Sequence, residues 1–178
     1  MRFYLETERL ILRDMLLSDD AGILDLDSDP DVHRYLGGKP IKTIEEARSG
    51  INYICGQYER NGIGRWAVIE KATEDFIGWG GIKFVNDDVI NGRSDFHDIG
   101  YRFIKKYWGK GYATEVAKAS VHYAWNDLKL PKIYSWSDAG NKASHKVLQK
   151  AGFRLLEEFD YHGAPHVWFD MERPTSLP

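Results

Sequence analysis

Gly109 and Gly111 stand one residue apart in KKYWGKGYATEVA, residues 105–117, with Lys105, Lys106 and Lys110 around them and a stretch of helical spacing directly behind. A helix begins with N–H groups that have no intrahelical acceptor, and its dipole favours negative charge at that end. Glycines in front of such a helix let backbone N–H groups approach an anion closely and let the turn use angles closed to other residues. The chemistry on offer is phosphate binding, with a tight turn alone as the other reading. Two common phosphate motifs do not fit here: the P-loop needs Gly-x4-Gly-Lys-Ser/Thr, and the dinucleotide fingerprint needs Gly-x-Gly-x-x-Gly with an acidic residue after it.

Other residue types that could do chemistry read as structure. His162 and His166 flank the turn sequence GAP at 163–165 rather than sharing a helix, with no carboxylate at ligand spacing, so no metal site is expected. Cys55 is the single cysteine, which excludes an intramolecular disulfide and a cysteine-based zinc site. The aromatics Tyr35, Tyr53, Trp79, Tyr161 and Trp168 have the spacing of core residues, although the same side chains could line a groove.

The elements that must position these residues follow from the hydrophobic period. Residues 5–15, with Leu10 and Leu12 in an unbroken pattern, predict a strand, and a short acidic helix follows at 19–27. Thr43 and Glu46 form a capping box, and Ile44, Ala47, Ile51, Ile54, Cys55 and Tyr58 then recur at helical spacing up to Gly62. Residues 66–69, 76–84 and 96–104 predict three strands, the last two joined by the polar loop NDDVINGRSD. From Gly111 to Lys129 the residues Ala113, Val116, Ala117, Ser120, Val121, Ala124, Trp125 and Leu128 make a small-residue face that lets a helix lie close to a sheet. Glu115, Lys118 and Asn126 are left for solvent. Pro131 stops that helix, 132–137 is a strand, Asn141 starts a helix that Gly152 ends, and 153–159 and 166–171 are the last strands. The expected fold is α/β of the α+β kind, a mixed sheet of about 6–7 strands with helices on both faces.

Composition sets the bounds. The 178 residues suit one domain, 1–178, and no repeat or linker divides them. A formal net charge of −3 gives no global field toward nucleic acid or an anionic membrane, and no run approaches the roughly 20 apolar residues of a transmembrane helix. The expectation is a cytoplasmic protein that contacts neither nucleic acid nor membrane, as a monomer or homodimer.

A second constellation gives the glycine turn a sharper meaning. Asp98-Ile99-Gly100-Tyr101, then YWGKGYATE at 107–115, then Asn141-Lys142-Ala143-Ser144 and KAGF at 150–153 together resemble the GNAT superfamily of acetyl-CoA-dependent N-acetyltransferases, most closely the branch of ribosomal-protein N-terminal alanine/serine acetyltransferases. The family's pyrophosphate turn reads Gln/Arg-x-x-Gly-x-Gly/Ala. Here Lys106 departs from it, keeping the charge but losing the bidentate geometry of arginine. The resemblance implies a mostly antiparallel sheet whose central strands splay apart, with acetyl-CoA as cosubstrate wedged between them. It implies that main-chain groups around Phe103, Ile104 and Lys105 pair with the thioester and pantetheine arm. Lys106 and Trp108, Gly109, Lys110, Gly111, Tyr112, Ala113 and Thr114 would wrap the pyrophosphate, and Asn141 and Ser144 would meet the pantetheine and its sulfur. His33, Tyr35, Tyr161 and His162 fall in segments bordering the acceptor site in relatives, so they are substrate-side candidates.

Amide formation needs a neutral amine, a polarised carbonyl and a proton for the leaving thiolate. An α-amino group of pKa near 7.8 is roughly one-tenth neutral at pH 7, against about one in two thousand for a lysine amine. The expected reaction is direct transfer of acetyl to a primary amine in a ternary complex, the acceptor being a protein or peptide N-terminus. A small-molecule amine such as an antibiotic or polyamine is the alternative, and so is a non-catalytic acyl-CoA-binding module. Asp98 corresponds to the family's strand carboxylate, either a base acting through water or an anchor for its strand. Leu148 occupies the place of the general-acid tyrosine of many relatives, which leaves Ser144, Tyr101 or Tyr112 to serve the thiolate.

Overall fold

In the computed structural model, which describes residues 3–175, the run expected as one strand folds as two, β1 (Tyr4–Glu6) and β2 (Leu10–Asp14). Thr7 makes the break. Its N–H donates to the Leu10 carbonyl at 2.9 Å and its hydroxyl oxygen accepts from the Leu10 N–H at 3.1 Å, which closes a turn by a side chain that strand periodicity does not reveal.

The remaining elements follow the hydrophobic pattern. They are α1 (Asp20–Ser28), α2 (Ile44–Asn61), β3 (Arg65–Glu70), β4 (Phe76–Val85), β5 (Phe96–Phe103), α3 (Tyr112–Asn126), β6 (Lys132–Asp138), α4 (Lys142–Ala151), β7 (Arg154–Tyr161) and β8 (Ala164–Glu172), with a 3-10 turn at Val32–Tyr35. The capping box at α2 forms as expected: the Glu46 N–H donates to Thr43 Oγ1 at 3.3 Å and the Thr43 N–H to Glu46 Oε2 at 3.0 Å. Gly62 ends that helix in the left-handed region at φ 70°.

Among the described residues the eight strands make one sheet, ordered β1-β2-β3-β4-β5-β6-β8-β7. That is a little more than the six or seven expected, the split of the first strand being the reason. All neighbours are antiparallel except β5 and β6. Helices cover both faces. Tyr101 and Arg102, adjacent on β5, show this directly: Tyr101 bonds Ser144 of α4, whereas Arg102 pairs with Asp27 of α1. The small-residue face of α3 is buried, with Val116, Ala117, Ser120 and Ala124 fully covered. An added Cβ at Gly80 of β4 would come within 2.4 Å of Val116, so a glycine lets helix and sheet approach here.

Glu115 is not left for solvent. Its carboxylate accepts from the Thr7 hydroxyl (2.6 Å), the Arg9 N–H (2.9 Å) and Arg9 Nε (2.8 Å), which ties the β1–β2 turn to the start of α3. The core has a large part spanning both faces and a smaller aromatic part, Val85, Ile90, Phe96 and Trp168 with Tyr134, Trp136, Phe159 and Tyr161, on the α1 side of the sheet's C-terminal half.

Candidate active site

Parallel strands β5 and β6 pair at Asp98 opposite Tyr134, and the Ser135 hydroxyl adds a bond to Ile99 O at 2.8 Å. No further pair forms among the described residues on the way to Phe103 and Asp138, so the sheet opens there into a wedge. The Ile104 N–H donates to Ile77 O at 3.0 Å, toward β4. Strand alternation then turns the main-chain groups of Tyr101 and Phe103 to the wedge. This corrects the expectation for Ile104, whose carbonyl is also used, accepting from the Tyr107 N–H at 2.9 Å. The Phe103 carbonyl already accepts from Trp108 Nε1 at 2.7 Å, and the Lys105 carbonyl from the Trp108 N–H at 3.0 Å.

The glycine turn follows β5 at the open end of this wedge. Gly109 and Gly111 lie at φ 74° and 85°, a conformation disfavoured by any Cβ. Around Gly109 there is open space, so conformational freedom rather than crowding requires glycine. The first main-chain bond of α3 runs from the Glu115 N–H to Gly111 O at 3.1 Å, and the N–H groups of Tyr112, Ala113 and Thr114 precede it. Lys106 and Lys110 are exposed, each ammonium 5.0 Å from the centre of the Tyr107 ring. The Tyr112 side chain turns away from the wedge, its hydroxyl bonded to Glu70 and the Arg9 guanidinium stacked over its ring, which removes it as the thiolate's proton donor.

Tyr101, Ser144 and Asn141 meet at the α4 wall, with Ser137 on the neighbouring strand β6. Asn141 caps α4, its Oδ1 accepting from the Ser144 N–H at 3.1 Å, which leaves the amide nitrogen as the donor it can offer a ligand. Ser144 Oγ lies 3.0 Å from the Tyr101 hydroxyl, which also donates to Ser144 O at 3.1 Å. Burial pushes the Tyr101 phenol well above its ordinary range, against the pull of Ser144, so the group keeps its proton. Ser137, two residues beyond Ser135 and therefore on the same face, has a buried hydroxyl with no hydrogen-bond partner. Buried hydroxyls are normally satisfied, and an unmet one in an open wedge fits a polar chain such as a pantetheine arm. Nothing local in the sequence distinguishes Ser137 from Ser135. Leu148 is fully buried in the core.

The opposite face carries charge. Asp98 is 7 % exposed and ion-paired with Arg65, whose Nη1 also donates to Asp98 O at 2.7 Å and to Gly81 O. Gly100 makes this possible, since an added Cβ would lie 2.7 Å from Arg65 Nη2. Burial pushes the Asp98 carboxyl up, opposed by the Arg65 guanidinium and by Lys83. Arg65 escaped the sequence reading, the one available signal being a cation at the head of an apolar strand. The Trp79 ring lies beneath both Arg65 and Arg102. Arg102 holds Asp27 at 2.6 Å, beside buried His33, and Tyr35 packs near Gly140. Tyr161 meets Trp136 edge-on, with ring centres 4.8 Å apart, and donates to Asp88 at 3.2 Å; His162, exposed at φ 52° in the β7–β8 turn, packs on Tyr161. The four acceptor-side candidates thus lie on two separate walls. No group of three His, Cys, Asp or Glu among the described residues could hold a metal ion, and no described helix is long and apolar enough to cross a membrane.

Comparison with known proteins gives this geometry a context. Residues 9–154 match the family described as Acetyltransferase (GNAT) domain. The YkkB protein of Bacillus subtilis (strain 168) is 35% identical over 149 residues, covering 83% of each chain, and the uncharacterized N-acetyltransferase YoaA of the same organism is 33% identical over 167 residues, covering 91% of each. Among solved structures, the ribosomal-protein-S5-alanine acetyltransferase from Vibrio fischeri superposes with a TM-score of 0.77 at 17% identity, covering 99% of this chain and 100% of that one.

Proposed function

The chain belongs to the GNAT family and is an acetyl-CoA-dependent N-acetyltransferase; from that premise we propose that it acetylates the α-amino group of a protein or peptide by direct attack in a ternary complex. The observation that carries this reading is the Tyr101–Ser144 hydroxyl pair standing in the wedge between β5 and β6. The main chain of Tyr101 and Phe103, the Ser137 hydroxyl and the Asn141 amide are placed to hold the pantetheine arm. The N–H groups of residues 109–114, with Lys106 and Lys110 nearby, receive the pyrophosphate. The amine approaches from the α1 side, between the walls bearing Tyr35 and His33 and those bearing Tyr161 and His162. Asp98, oriented by Arg65, takes the amine's proton through water. As the C–N bond forms and the C–S bond breaks, Tyr101 supplies the thiolate's proton, directly or through Ser144 Oγ.

Two arguments favour an α-amine. Its lower pKa makes a larger neutral fraction available without a strong base. Four carboxylates on this face also have cation partners: Asp27 has Arg102, Asp31 has Lys105, Asp87 has Lys83 and Asp98 has Arg65. A polycation would have to compete with each of these partners.

The test is CoA release over a panel of peptides, monoamines and polyamines, with acetyl-CoA thermal shifts on the same samples. Peptides with free N-termini should be the best acceptors, and Tyr101→Phe should lower kcat by about 100-fold with the acetyl-CoA shift unchanged. Preference for a polyamine would refute the acceptor assignment, and unchanged turnover in Asp98→Ala, Ser144→Ala and Tyr101→Phe would refute the proton routes.

A further inference from the structure

We propose that His33 orients the acceptor amine, taking one of its N–H groups on Nδ1, and thereby makes the enzyme select primary over secondary amines; this rests on the transferase reading above and adds the residue that positions its acceptor. The 3-10 turn Val32–Tyr35 crosses the wedge on the α1 side. Asp31, just before it, pairs with Lys105 at the end of β5. At its other end, Tyr35 packs beside Gly140 after β6, where an added Cβ would lie 3.3 Å from its ring. His33 lies between these two anchors, over the place where an amine must reach the thioester.

The imidazole is 7 % exposed, and neither ring nitrogen has a hydrogen-bond partner. Buried polar groups are normally satisfied, and with Nε2 turned to Asp27 the unmet Nδ1 points to a partner that arrives with the acceptor. Nε2 is 3.6 Å from Asp27 Oδ1, and that negative charge favours the tautomer with hydrogen on Nε2, which leaves the Nδ1 lone pair as an acceptor. Burial, with Arg102 adding to it, holds the imidazole below its ordinary range against the pull of Asp27, so the ring is neutral at pH 7. The charged groups around it are Asp27 of α1 and Arg102 of β5, with Asp31 and Arg34 of its own segment tied to each other and to Lys105.

A neutral primary amine carries two N–H groups. One goes to His33 and the other to the water route toward Asp98, which points the nitrogen lone pair at the carbonyl carbon. The proton on the Asp98 side is lost as the C–N bond forms, the thiolate gains its proton from Tyr101, and His33 exchanges none. A secondary amine has one N–H and must give up one of the two contacts. Because both ring nitrogens are covered, the turn that carries them must shift for the acceptor to enter. Gly37 and Gly38, left-handed at φ 84° and 64° with open space around them, follow the turn and give it that freedom.

The experiment uses the full chain saturated with acetyl-CoA, as wild type, His33→Asn and His33→Phe. Each is assayed for CoA release with a peptide bearing a free α-amine and with the same peptide N-methylated, alongside its acetyl-CoA thermal shift. Wild type should prefer the primary amine by about 100-fold in kcat/KM. His33→Asn, whose side-chain oxygen can stand in for Nδ1 but cannot take a proton, should keep most of that preference. His33→Phe should lose it, together with about 100-fold of kcat/KM for the primary amine, and the thermal shift should stay constant throughout. Equal preference in wild type and His33→Phe overturns the proposal. A loss in His33→Asn as deep as in His33→Phe also overturns it, assigning proton transfer to the ring instead. Release from small amines but not from peptides overturns the peptide assignment alone, and the primary against N-methyl comparison is then read on that amine.

Discussion

The two sides of the wedge are built by different means. On the α3–α4 side, residues 101–114 and 137–144 form two nearly continuous runs, and their work is done largely by backbone: left-handed glycines, unpaired first-turn N–H groups and a helix cap. On the α1 side, Asp27, Asp31, His33, Arg65, Asp98, Arg102 and Lys105 come from three segments far apart in the chain, 27–33, 65 and 98–105, and are joined by ion pairs. A backbone-built site tolerates few substitutions but is written locally. A side-chain-built one is easily re-tuned, which suits an acceptor that differs between relatives sharing one cosubstrate.

Breaking the charge-built side should be the more damaging to stability. Arg65→Met leaves Asp98 buried without its partner and should cost about 3–5 kcal/mol in denaturant unfolding. Adding Asp98→Leu to that variant should restore much of the loss, because both charges are then gone; no recovery would show that Arg65 acts through packing. Gly111→Val tests the backbone-built side. A β-branched residue at φ 85° costs roughly 1–2 kcal/mol of fold stability, while acetyl-CoA affinity should fall by at least about 100-fold as the first-turn N–H groups are displaced. Retained binding would reduce the stretch to a turn.

The tie between β1–β2 and α3 sharpens the contrast from outside the wedge. Burial would raise the Glu115 carboxyl, but the Thr7 hydroxyl and Arg9 outweigh it and hold it below its ordinary 4.5. Its stabilising contribution is therefore complete above pH 4.5 and is lost as pH falls through the lowered folded-state value. Glu115→Gln should cost about 2 kcal/mol at pH 7 and less as the pH approaches 3, read from urea midpoints across that range. The smallest effect belongs to the α2 cap, where Thr43→Ala should cost about 1 kcal/mol by the same measurement and leave acetyl-CoA binding unchanged.

What could be read along the chain follows the same division. The capping box at Thr43, the face of α3 and the α4 start at Asn141 depend on neighbours within a turn or two and fold as expected, whereas α3 ends at Asn126, short of the Lys129 that spacing predicts. Glu115 differs from its expected place because its partners Thr7 and Arg9 lie 108 and 106 residues away along the chain. The Ile104 main chain was misassigned because only pairing with β4 decides which way a strand residue points its N–H. Arg65 has only the local mark of a cation at the head of an apolar strand, and Ser137 has none. One sits in a strand that packing alone pairs with Asp98, and the other is unmet because β5 and β6 diverge.

The sequence by itself determined the order of elements and the glycine turn, along with the likeness of residues 96–153 to one family, because periodicity, capping and left-handed glycines act over a few residues. Only the tertiary structure decided that Tyr101 meets Ser144 and that Arg65 claims Asp98. It alone put His33 over the wedge between Asp31 and Tyr35. Those meetings depend on the splay of two strands and the crossing of a short turn, distances in space that no spacing along the chain encodes.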